Sequence, residues 1–238
     1  NKYSVPYAYT ITMLGYNEQK IKELGLTIDS WSAIFDPKIL EKLKGRVTVL
    51  DSQSELMAAA LKYLGYSVND RDPKHWEEAK KVILKAKPYW AAFKASGYIE
   101  QLAAGNIWLV HGYSNDIYQA DLGAQEAKQP FRIKHALPKE GAVLALDAMV
   151  IHKSAPRPDL AHQFIDFMLE GRNSADLTNM IGSGNPNAAA MTHIKPEIKG
   201  MSAIFPDAQT AKKLEMLKDL TSKERRTMNR IWTEIKAR

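Results

Sequence analysis

The sequence predicts an α/β fold. Segments patterned as strands and segments patterned as helices alternate along the chain, an order that suits helices packed on a largely parallel sheet. The length of 238 residues, 45% hydrophobic and 25% charged, is enough for one large domain or two lobes.

Residues 9–17, "YTITMLGYN", read as a strand running into a turn, and the chain's opening, "NKYSVPYAYT", already has strand character. Residues 31–45 form a turn and a short helix that ends at Gly45, and 46–50, "RVTVL", are a strand. Residues 54–65 are a helix closed by Gly65, since glycine at a helix end adopts left-handed angles without steric cost. Residues 75–93 are a helix stopped near Pro88, and 98–105 are another. The apolar run 106–110, "NIWLV", is a buried strand, and a helix begins after Asp116. Residues 132–138 and 142–151 are strands. Residues 158–171 are a helix with an apolar stripe of Leu160, Phe164, Phe167 and Met168, which needs a sheet to pack on. Residues 212–220 and 224–237 are expected to be terminal helices.

Several chemistries are excluded. Without cysteine there are no disulfides, thiolate metal sites or cysteine nucleophiles. No apolar run is long enough to span a membrane as a helix, which takes about 18 residues, and no signal peptide is recognisable in this chain. Motifs for a serine nucleophile elbow, a P-loop, a dinucleotide fold or a zinc protease are missing. The six histidines (His75, His111, His135, His152, His162, His193) show no metal-ligand spacing; His111 reads either as a site residue or as a structural one. The net charge of +6 admits a nucleic-acid partner, but the basic residues are scattered along amphipathic helices, as on a solvated surface. The densest group, Lys223, Arg225, Arg226 and Arg230, lies near the C-terminus.

Three acids stand where a solvated face is not the obvious reason for them. Glu55 follows strand 46–50, Asp116 follows strand 106–110, and Asp147 interrupts "AVLALDAMVI". Glu55 could complete a capping box with Ser52, S-x-x-E. Asp116 could satisfy free amides at the start of its helix. Asp147 would be costly if buried unpaired, so it needs a partner, a strand break or a wet cleft. In α/β folds ligands collect beyond the carboxyl ends of strands, where helix N-termini favour anions. A cation site there must reverse that sign with carboxylates. Tyr113, three residues before Asp116, could cover a methylene chain or hold an ammonium over its ring. The residues alone therefore suggest a site for an organic cation, with helix caps as the open alternative.

The stretches "YSVPYAY", "GYNEQKI", "LDSQSELMAAALKYLG", "YIEQLAAGNIWLVHGYSNDIYQA", "LPKEGAVLALDAMVI", "HQFIDFMLEG", "NPNAAA" and "NRIWTEIKAR" occur in the order found in one family. The chain resembles the polyamine-binding proteins of bacterial ABC importers, and is most similar to the putrescine-type members. The resemblance implies a type II periplasmic binding protein-like fold of two lobes that close over a diamine or triamine. It implies residues 9–143, with 191–238 packing back, in the second lobe and 144–190 in a partial first lobe. The hinge would lie near 6–9 and 141–145. Family members carry more chain before "YSVPY", so the N-terminal part of the first lobe is expected to be missing here. The implied ligand residues are Glu55, Tyr113, Asp116, Asp147 and Ser183. Tyr113 replaces the family's usual tryptophan, and Ala145 and Ser183 stand where the family has aromatics, so the aromatic box is thinner. No cofactor, metal or catalytic residue is implied. The implied partner is an ABC permease in the inner membrane, and the implied location is periplasmic or lipid-anchored outside the cytoplasm. A complete member should be monomeric; this chain alone could associate through its apolar faces. Another small organic cation is the alternative ligand, and a nucleic-acid-binding module the alternative of another class.

Overall fold

The computed structural model describes residues 3–237. Asn1, Lys2 and Arg238, the ends of two of the stretches quoted above, lie outside them. In chain order the elements are β1 (Val5–Asn17), α1 (Glu18–Glu23), α2 (Ser32–Phe35), α3 (Pro37–Leu40), β2 (Val47–Leu50), α4 (Gln53–Tyr63), α5 (Pro73–Ala86) and β3 (Ala92–Lys94). There follow α6 (Tyr98–Ala103), β4 (Leu109–Tyr113), α7 (Ser114–Glu126), β5 (Ile133–Ala136), β6 (Ala142–Met149), α8 (Pro158–Leu169) and α9 (Gly171–Ile181). The last are α10 (Pro196–Lys199), α11 (Ala208–Ala211), β7 (Leu214–Glu215) and α12 (Ser222–Ala237).

One mixed sheet runs β3-β2-β4-β1-β6-β7, with β5 also paired to β1. The expectation of largely parallel strands is corrected here. β2 is parallel to β3 and β4, and β6 to β7, but β1 is antiparallel to β4, β5 and β6. Helical crossovers after β2 dictate the parallel pairs. The direction in which β1 enters is not written in the alternation of elements.

β1 organises the molecule. Its second half pairs with β4 on one side and β5 on the other, from Thr12 to Asn17. Its first half pairs with β6 from Val5 to Ile11. The main core includes Ile11, Met13, Trp31, Leu56, Trp76 and Leu109, and α12 adds Met228, Ile231 and Ile235 to it. A smaller cluster gathers Tyr118, Ala175, Ala190, Ile194, Ile198 and Ile204 around α9.

Three local expectations change. The strand expected at 106–110 runs from Leu109 to Tyr113, because the Trp108 and Leu109 amides both donate to the Arg46 carbonyl ahead of the ladder. The helix expected to stop near Pro88 ends at Ala86, and what changes is that Ala92–Lys94, at the end of that segment, pairs with β2 as β3. Residues 212–220 are not a helix: Leu214 and Glu215 pair with β6, and Glu215 accepts from Lys62 Nζ at 2.7 Å and from the Ser67 hydroxyl. Tertiary pairing overrides a helical pattern there. The stripe of α8 forms as expected but stays open, with Leu160 47%, Phe164 59% and Phe167 54% exposed.

Candidate functional site

The carboxyl ends of the parallel strands β2 and β4 lead directly into α4 and α7. Both helices carry an acid in their first turn, Glu55 in α4 and Asp116 in α7. Strand direction and crossover thus bring the two acids to one sheet edge, at helix N-termini.

Neither acid is a cap. The Ser52 hydroxyl makes no capping bond, and Glu55 does not fold back to the Ser52 amide. Instead Glu55 Oε2 accepts a hydrogen bond from Thr12 Oγ1 at 2.6 Å. Glu55 is 7% exposed, and among the described residues no lysine or arginine pairs with it. Burial raises its pKa above the usual carboxylate range, and the Thr12 hydrogen bond opposes that shift. Asp116 is half-buried; one oxygen accepts from the Tyr98 hydroxyl and the other from Asn115 Nδ2 at 2.9 Å. Burial raises its pKa too, the Tyr98 and Asn115 hydrogen bonds lower it, and the Glu100 charge adds a small rise.

Tyr113 lies near both. It ends β4 directly opposite Thr12 of β1, so the two side chains share a face. Burial, then the charges of Glu55 and Asp116, push its hydroxyl up to about 12. Both acids are therefore close enough to act on the phenol electrostatically. The structure brings together Glu55, Tyr113 and Asp116, with Thr12, Tyr98 and Asn115 as supports.

Asp147 and Ser183 lie beside the N-terminal half of β1. Asp147 on β6 is paired with Ala8, and Ala145 with Thr10. Side chains alternate along a strand, so Ala8, Thr10 and Thr12 share one face with Asp147, Ala145 and Tyr113. Ala8 is four residues from Thr12, about 13 Å along an extended strand. Asp147 is exposed, which removes the need for an internal partner. Ser183 precedes Gly184, which bridges Tyr9. Ser183 is 1% exposed, and its buried hydroxyl has no hydrogen-bond partner among the described residues.

His111 does not join the site. Its Nδ1 accepts from the Leu50 amide at 3.4 Å, its ring stands edge-on to Trp31, and burial lowers its pKa to about 3. It is neutral and structural. Thr12 and Tyr98 escaped the sequence reading. The only signal for Thr12 was a hydroxyl within an apolar strand, and Tyr98 opens a helix that looked unremarkable. Among the described residues no cluster of acids and histidines could hold a metal ion.

The arrangement matches a known family: its model, described as a bacterial extracellular solute-binding protein, covers residues 1–206. The chain belongs to this family. A putrescine/cadaverine-binding protein of Pseudomonas aeruginosa is 60% identical to this solute-binding protein over its whole length, which spans 67% of that relative. A putrescine-binding periplasmic protein of another Pseudomonas aeruginosa strain is 38% identical over 100% of the chain, which spans 66% of it. A crystal structure of a spermidine/putrescine ABC transporter substrate-binding protein from Streptococcus pneumoniae aligns with a TM-score of 0.84 at 26% identity, over 100% of this chain and 69% of that one. The fold is thus the type II periplasmic binding protein-like fold, represented in part, and the solute-binding protein spans about two thirds of the length of these relatives.

Proposed function

We propose that this solute-binding protein captures a polyamine, a putrescine- or cadaverine-like diamine above all, for import by an ABC permease. It does so by binding and lobe closure, without catalysis. The observation that carries the reading is the pair Glu55 and Asp116. Glu55 is buried and Asp116 half-buried, neither has a cationic partner among the described residues, and the charges of both reach one tyrosine, Tyr113. Desolvated carboxylates are costly unless paired, and an ammonium is the partner that completes them. The Tyr113 ring supplies an apolar and π-rich surface for the methylenes beside it.

The shared face of β1, β4 and β6 suggests how a diamine lies. One ammonium meets Glu55 and Asp116, the methylenes pass Tyr113 and the small Ala145, and the second ammonium approaches Asp147. The offset of about 13 Å between the Thr12 and Ala8 positions suits a ligand with charges at two ends. Ser183, with an unpartnered hydroxyl, would accept from an amine. The names of the relatives support this substrate class.

In this reading residues 9–143, with 191–238, form the second lobe and 144–190 part of the first. The hinge runs through 6–9 and 141–145, where β1 and β6 pass from one lobe to the other. The open apolar face of α8 would seat the rest of the first lobe. The protein works outside the cytoplasm, in the periplasm or anchored by lipid. The test is calorimetric titration of the full-length protein with putrescine, cadaverine, spermidine and agmatine. Saturable binding of a diamine supports the reading; preference for an anion, or no binding of any of the four, overturns it.

A further inference from the structure

Both carboxylate oxygens of Asp116 are held by neighbouring side chains. Tyr98, the first residue of α6, is 2% exposed, and its ring lies beneath the end of β4. The phenol oxygen accepts from the Tyr113 amide at 3.4 Å and donates its proton to Asp116 Oδ2. The ring fits because residue 112 is glycine. A Cβ at Gly112 would stand 2.8 Å from Tyr98 Cε2 and 3.2 Å from its hydroxyl oxygen. Gly97, which precedes α6 with a φ of 75°, allows the chain to turn into that helix. Asn115 holds the other carboxylate oxygen. Both oxygens are thereby fixed, leaving their remaining lone pairs for an incoming donor.

We propose that Tyr98 is a positioning residue for the cation site: its phenol fixes the orientation of the Asp116 carboxylate and favours its ionised form, with Gly112 making room for the ring. The inference rests on the reading of Asp116 as an ammonium contact. A plain core tyrosine also seeks a partner for its hydroxyl when buried. The two roles differ in consequence. A hydrogen bond to an ionised carboxylate favours the charged form. Tyr98→Phe keeps the ring and its packing but removes the donor, so burial acts on Asp116 with less opposition. The carboxyl group then holds its proton to higher pH.

The experiment uses the full-length protein, its Tyr98→Phe and Asp116→Asn variants and the double variant, each titrated with cadaverine across pH. Tyr98→Phe should bind roughly tenfold more weakly at neutral pH, the scale of one hydrogen bond to a charged group. Its loss of affinity on acidification should begin at a higher pH than in the parent. In the Asp116→Asn background Tyr98→Phe should change neither affinity nor pH profile. In parallel, the Asp116 carboxyl carbon is followed by NMR in the ligand-free protein, where Tyr98→Phe should raise its pKa. An unchanged Asp116 titration, or an undiminished affinity loss in the Asn background, overturns the proposal and leaves Tyr98 a packing residue. If the parent binds no diamine, the functional reading falls, while the ligand-free titration still decides whether Tyr98 controls Asp116.

Discussion

Replacing Glu55 with glutamine separates a structural glutamate from one kept for a cation. Glu55 is 7% exposed, accepts from Thr12, and lacks a cationic partner among the described residues. Its pKa in the folded state is raised by burial. A raised carboxyl pKa means that the folded state holds the proton more tightly than the unfolded state. The ligand-free protein therefore loses stability as pH rises from the unfolded value, about 4.3 for glutamate, through the folded one. Glutamine carries no charge and can still accept from Thr12. Ligand-free Glu55→Gln should melt at or above the parent at neutral pH, and the difference should close in acid. With a diamine bound the sign reverses. Loss of one partner of a buried charge pair costs about 2–5 kcal/mol. At 1.4 kcal/mol per decade that is roughly 30-fold to 4,000-fold in affinity. Thermal melts across pH without ligand, and calorimetry with cadaverine at neutral pH, measure both. A variant that melts well below the parent at neutral pH, or binds cadaverine as tightly, would show that Glu55 is not a desolvated partner for an ammonium.

Asp116→Asn should weaken diamine binding more than Asp147→Asn, because Asp147 is exposed and exposed charge pairs contribute only about 0.2–1 kcal/mol; equal losses by calorimetry would show that Asp147 is desolvated when ligand is bound. Gly184→Ala should destabilise the protein by about 1–3 kcal/mol, since the new Cβ would sit 2.0 Å from Tyr9 Cε2, and a melting temperature equal to the parent's would contradict the packing. Asp121 behaves oppositely to Glu55: burial alone would raise its pKa, but Arg132 and the Ile133 amide hold it below the usual range. Its stabilisation is present above the unfolded value of about 3.9 and is lost as pH falls through the folded one. Asp121→Asn should therefore cost about 1–2 kcal/mol at neutral pH, a figure discounted because Arg132 is half exposed, and the loss should shrink in acid denaturation curves.

Much of this fold is legible from periodicity, because the helices bury amphipathic faces and the strands follow turn residues. What escapes is set at long range. The direction of β1 depends on partners far along the chain, Thr12 opposite Tyr113 and Val5 opposite Met149, and local pattern is silent about it. The 212–220 segment has a helical pattern, yet Glu215 is tied to Lys62 and Ser67 across the surface, and pairing with β6 extends it. At the site, the acids could be named because carboxylates at strand ends call for an explanation. Their supports could not. Ser52 and Glu55 satisfy the capping-box spacing, and only the placement of β1 beside α4 shows that Thr12 takes the carboxylate instead. Tyr98 is 18 residues from Asp116 and reads as an ordinary helix residue until the sheet closes over it.

The site's electrostatics also bear on why a binding protein would keep such costly groups. Two helix N-termini favour their first-turn acids, since a macrodipole contributes roughly 0.3–1 kcal/mol to a nearby anion. Thr12, Tyr98 and Asn115 add hydrogen bonds, yet burial still raises both pKa values. The supports thus reduce the penalty without cancelling it, and in the proposed function a bound cation would relieve the remainder. That difference favours ligand over water and lets a ligand stabilise the folded chain by mass action, by about 2.7 kcal/mol at a hundredfold excess over Kd. In the proposed function it would also set the selectivity. A sodium ion would have to shed water to meet two oxygens already engaged by hydroxyl donors, while an ammonium brings three directed N–H donors to their free lone pairs. Tyr113 beside the acids would then favour a cation with an apolar body. A site of fully solvated acids would lack this preference, so in the proposed function the burial that destabilises the empty protein would distinguish a diamine from the inorganic cations around it.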